Sequence, residues 1–166
     1  MSQTLTKSGR RRLRFNSHEE VLADIRALAE RPTRHLGRWT LPVICQHLAI
    51  TVNKCLDGDV AIPVPIATRI LARIFRNRVL HTRLPGGFKL PPDAEAAMFC
   101  EPASVAAAID DLEKAIARLS TTTERHPHPA FGRMNAAQWD LFHFRHAELH
   151  LGHIVPADAD RRAPRA

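Results

Sequence analysis

Five apolar residues, Val105, Ile109, Leu112, Ile116 and Leu119, recur at a 4-3-4-3 spacing, and this spacing restricts the fold more than any other feature of the chain. Alternating steps of four and three keep side chains on one stripe of an α-helix, whereas a strand would scatter them over both faces. A helix with one apolar seam buries it against other helices, so the segment predicts a bundle. Ser104 stands where an N-cap belongs, with an oxygen available to an orphan N–H of the first turn.

The remaining periodicity is helical as well. Ser17-His-Glu-Glu20 is a capping box ahead of Val21, Leu22, Ile25, Leu28 and Ala29. A Gly-containing turn, Thr33 to Arg38, leads to Trp39; Thr40 then caps a second helix that tolerates Pro42 in its first turn and ends near Asp57-Gly58. Ile44, His47, Leu48, Thr51 and Cys55 share one of its faces. A third helix is expected over about Pro65 to Val79, with Ile66, Ile70 and Ile74 on one side and Arg69, Arg73 and Arg76 elsewhere. Leu80 to Pro102 is expected to be a long connector, and connectors of that length are often lids or binding loops; Leu84, Phe88 and Leu90 would be its covering residues, either over a site or simply over core. After a turn-rich link, His126 to Gly132, the stretch Asn135 to Gln138 resembles a capping box opening a last helix that ends near Val155-Pro156. The expectation is an all-α domain over 15–156, with a disordered basic arm at 1–14 and a disordered tail at 157–166.

A chain of 166 residues, 45% apolar and 25% charged, can bury the core of one domain. No apolar stretch approaches the ~20 residues that span a bilayer. The basic start lacks a following apolar run, and the three cysteines, Cys45, Cys55 and Cys100, show no CxxC spacing. Reduced thiols and a cytoplasmic location are therefore expected. The net charge of +7 is concentrated in Lys7, Arg10, Arg11, Arg12 and Arg14, which could hold nucleic acid or an anionic membrane. With no Tyr and 5% aromatics, a base-stacking platform is not expected.

The chemistry lies in the last helix. His146-Ala-Glu-Leu-His150 places two imidazoles one turn apart on one face, and His143 and His153 fall within the same arc of roughly 80°. Arg145 and Glu148 are expected on the opposite face. His47, on the apolar face of the second helix, is the natural third member. Three imidazoles leave an open fourth position on a metal, and zinc, nickel, iron and copper all accept them. The pattern is not the HExxH of metalloproteases, because Glu148 follows His146 by two positions and so turns away by about 200°. Cys45 is displaced from His47 by the same angle, and no P-loop, GxGxxG or GxSxG is present.

Trp39-Thr-Leu-Pro-Val-Ile-Cys-Gln-His47-Leu resembles the Trp-Ser/Thr…His-Leu start of the second helix in DinB-like proteins, and Trp139 to His153, with its H-x3-H, resembles their final helix. Pro129-Ala-Phe-Gly132 and Leu149 to Pro156 are similar to an uncharacterised branch of that superfamily, a domain of unknown function. The resemblance covers roughly Arg14 to Pro156. It implies a four-helix bundle, here with an accessory N-terminal helix, and a divalent metal, usually zinc or nickel, on His47, His146 and His150. His143 and His153 are extra to that triad and stand as alternative ligands, as groups steadying the ligands, or as polar core residues. Characterised members include S-transferases and isomerases that use mycothiol or bacillithiol, and many are dimers. The resulting expectation is a metal-dependent enzyme acting on a low-molecular-weight thiol or by hydrolysis, and the resemblance implies a homodimer. The alternative is a non-catalytic metal- or ligand-binding module attached to nucleic acid or membrane by its basic arm.

Overall fold

The computed structural model describes residues 5–6, 8–58, 63–84, 86–87 and 90–158. They form six helices, α1 (His18–Ala29), α2 (Leu41–Asp57), α3 (Ile66–His81), α4 (Pro92–Met98), α5 (Val105–Thr121) and α6 (Ala136–Leu151), with strands β1 (Thr33–His35) and β2 (Ile154–Pro156). The chain is thus mostly helical, with a two-stranded antiparallel sheet in which Thr33 pairs with Pro156 and His35 with Ile154. No helix among the described residues is long and apolar enough to cross a membrane.

Local chemistry sets the helix starts. Ser17 accepts the Glu20 amide at 3.2 Å and Ser104 the Ala107 amide at 3.0 Å. Asn135 and Gln138 exchange both bonds of a capping box. In the first of these boxes the reciprocal bond is displaced by one residue, since Glu20 reaches the Asn16 amide instead of Ser17. Gly58 ends α2 in the left-handed region at φ 76°, where a side chain is strained, and a Cβ there would lie 2.4 Å from the His126 ring. His126 in turn donates its amide to the Cys55 carbonyl, which ties the α5–α6 link to the end of α2.

α2 is the central helix, buried nearly all round, and packs against α5, α6, α1 and α4. The buried face of α5 is Ala108, Leu112, Ala115 and Leu119, with Ile109 and Ile116 beside it and Val105 exposed. The seam is therefore rotated from the expected one. Alanines at its centre let the α2 and α5 backbones approach closely, so the smaller residues face inward. α1 buries Val21, Ile25 and Leu28 against α5, α6 and α2 and belongs to the core, not to an accessory layer. The peripheral helix is α3, which buries only Leu80 and leaves its isoleucines outside.

Two further expectations change. The connector is not structureless, because α3 runs on to His81 and α4 occupies its middle. Residues 8–14 are anchored to the body of the fold, with Arg11 buried and Ser8, Arg12 and Arg14 exposed. Arg11 is buried, pairs with Asp24 through two 2.7 Å bonds, and donates to the carbonyls of Ile154 and Leu151. Arg10 bonds the Leu149 carbonyl, and Arg14 bonds those of His81 and Thr82. Arginines that sequence assigns to solvent here satisfy the unpaired carbonyls at the ends of α6 and α3. Of the expected tail, Ala157 donates to the Pro32 carbonyl, and 159–166 lie outside the described residues.

Candidate metal centre

The Asn135 cap fixes the start of α6, and one turn of helix separates His146 from His150. α2, held against α6 by the core, presents His47 to both. His146 Nε2 lies 3.2 Å from His47 Nε2 and 3.0 Å from His150 Nε2. All three ligand atoms fall within 4.8 Å of one another. Nitrogens bonded tetrahedrally to zinc at about 2.0–2.1 Å sit about 3.4 Å apart, so the donor set fits a divalent ion of that size.

The protonation state suits the same purpose. His47 Nδ1 donates to the Met98 carbonyl at 2.9 Å, which leaves a lone pair on Nε2 of the neutral ring. Burial pushes His47 down to about 4 and His150 to about 3, and it takes His146 well below the ordinary histidine range, with His150 and His47 adding to the effect. At neutral pH the three rings are therefore uncharged. His146 Nδ1 is buried without a partner.

Trp39, Phe99 and His47 form a stack. The Phe99 ring lies 4.4 Å from Trp39 and 3.9 Å from His47, each within 9° of parallel, and 5.8 Å from His150. Phe99 caps the C-terminus of α4, so the segment holding His47 through Met98 also covers one face of the triad. Trp39 and Phe99 border a groove of about 410 Å³, whose lining includes Leu90 and an Arg38–Glu95 ion pair of 2.7 Å. Of the expected lid residues, Leu90 lines this groove, Leu84 packs on the core, and Phe88 lies outside the described residues. Phe99 and the Met98 carbonyl escaped the sequence reading. Their one signal was an aromatic directly after a short proline-led helix.

His143 and His153 do not join the triad. His143 is buried beside Trp139 and Phe142, with Nε2 unpartnered, and burial lowers it to about 3. His153 follows the helix, because α6 stops at Leu151; its carbonyl accepts the Leu36 amide and its ring lies against Gly37. His128, which the spacing did not single out, is packed against Phe142 and Phe131 and accepts the Ala130 and Phe131 amides on Nδ1.

The opposite side of α6 is not a wet face. Arg145 is 1% exposed, contacts Glu148 at 3.1 Å, and bonds the Phe15 carbonyl, while Glu148 accepts the Phe15 amide at 2.6 Å. This pair clamps the N-terminal segment and turns the Glu148 carboxylate away from the histidines. Cys45 and Cys55 are buried, and burial pushes both thiols up to about 12.

Neither a curated protein nor a solved structure matches the chain. A family model described as "Protein of unknown function (DUF1569)" matches residues 7–157, a span that contains α1 through β2 and all three converging histidines. On that match the chain belongs to the DUF1569 family.

Proposed function

We propose that the chain is a DinB-like metal-dependent enzyme in which α1, α2, α5 and α6 form the four-helix bundle and His47, His146 and His150 hold a divalent ion, zinc or nickel ahead of iron or copper. The observation that carries this reading is the convergence of three neutral Nε2 atoms from two facing helices. Such an ion would supply Lewis acidity, making a nucleophile available from water or a thiol near neutral pH. The chain's own residues position and shield. Met98 fixes the His47 tautomer, Phe99 keeps solvent from one side of the triad, and the groove beside Trp39 gives a substrate a place to rest.

The α2 cysteines support an external nucleophile, since thiols raised to about 12 are not thiolates at neutral pH. Transfer to a low-molecular-weight thiol is the preferred reaction and hydrolysis the next. The test is a screen of tag-free protein with electrophiles and thiols such as cysteine and glutathione, with loss of free thiol as the readout. Turnover that stops on chelation and returns with zinc or nickel is expected. Turnover unaffected by chelation, or by His146→Asn, contradicts the proposal.

A further inference from the structure

The most anomalous surface lies away from the histidines. α3 leaves Ile66 at 68% and Ile74 at 67% exposure, with Ile70, Leu71 and Phe75 each more than half in solvent. Arg69, Arg73 and Arg76 take the other side, while the exposed Arg78 ends the Ile66-Ile70-Ile74 row. Arg76 donates to the Phe131 and Arg133 carbonyls, Arg73 lies against Gly132, and the Nε atoms of Arg69 and Arg76 are buried. An isolated monomer would be expected to reverse this orientation.

We propose that this face of α3 is the contact between two copies of the chain, paired about a two-fold axis. Ile66-Ile70-Ile74 and Leu71-Phe75 are adjacent i, i+4 ridges with a groove between them, the surface that interdigitates with a second helix of the same kind. A patch of five such side chains is on the order of 500 Å², and a symmetric pair buries on the order of 1,000 Å², about the least that a specific interface shows.

Other occupants fit less well. A helix lying on an anionic membrane directs its cations toward the headgroups, whereas three of the four arginines of α3, Arg69, Arg73 and Arg76, are turned toward the protein body. The chain's own residues 1–4 and 159–166 carry one large apolar side chain between them, Met1, so they offer no matching stripe.

The test is sedimentation equilibrium of the full, tag-free chain at micromolar concentration, in low and high salt, alongside Ile70→Glu and Ile74→Glu. Wild type is expected at twice 18.6 kDa, and an apolar contact should not weaken with salt. Each variant would bury an unpaired carboxylate in both copies, so its dissociation constant should rise at least about 100-fold. Their circular dichroism and metal content should be unchanged, because both positions are exposed in the single chain. A monomeric wild type, with or without capture by anionic phosphatidylserine vesicles, overturns the proposal. So does a dimer that persists in the Ile70→Glu/Ile74→Glu double variant.

Discussion

At the scale of single residues, burial sets both the chemistry and the acid response. His47 and His143 are 3% and 6% exposed, and their values of about 4 and about 3 lie below the unfolded value of about 6.5. On acidification the unfolded chain therefore takes up protons first. The stability these groups contribute is full above about pH 6.5 and is lost as pH falls toward about 4 and about 3. Each can add a slope of up to about 1.4 kcal/mol per pH unit inside that window. Urea unfolding of chelator-treated protein between about pH 7 and pH 5 should show the decline, and His143→Phe should flatten it. A pH-independent unfolding free energy would contradict the assignment. Phe99→Ala should leave metal stoichiometry unchanged but accelerate extraction by a chelator, because one face of His47 loses its cover. Phe99 is only half-buried, so its stability cost should fall below the about 3 kcal/mol at which core Phe→Ala losses begin.

At the scale of elements, what the sequence disclosed was local and what it concealed was long-range. Ser17, Ser104 and Asn135 announce helix starts because each cap bonds an amide three residues away. The pair His146 and His150 is visible for the same reason, one helical turn. β1 and β2 are three residues each and gain their identity only by pairing across the chain. α4 has seven residues and no apolar period, so neither it nor Phe99 stood out. Arg11 and Arg145 stand where the sequence places an arm and an outer helix face, whereas here each is buried, Arg11 against Asp24 and two backbone carbonyls and Arg145 against Glu148 and the Phe15 carbonyl. Arg11→Gln should accordingly cost about 3 kcal/mol or more, since it leaves Asp24 and two carbonyls without their partner. Equilibrium unfolding measures this directly. Deleting residues 1–14 should destabilise the protein further, and an unchanged midpoint on deletion would restore the picture of a free arm.

At the scale of the whole molecule, α2 joins the core and the site. It fills the centre of the helix packing with Ile44, Leu48 and Val52 and presents His47 across to α6. The family match runs over this entire framework, and the three histidines converge because α2 is packed against α6. The central claim is that His47, His146 and His150 hold one ion together. Its most direct measurement is elemental analysis of tag-free protein supplied with zinc and with nickel, for wild type and the three His→Asn variants. The account predicts one equivalent per chain in the wild type. It also predicts near-complete loss in each variant while circular dichroism is retained, because two imidazoles bind far more weakly than three. A wild type that emerges metal-free at neutral pH, or a variant that keeps its full equivalent, would contradict it.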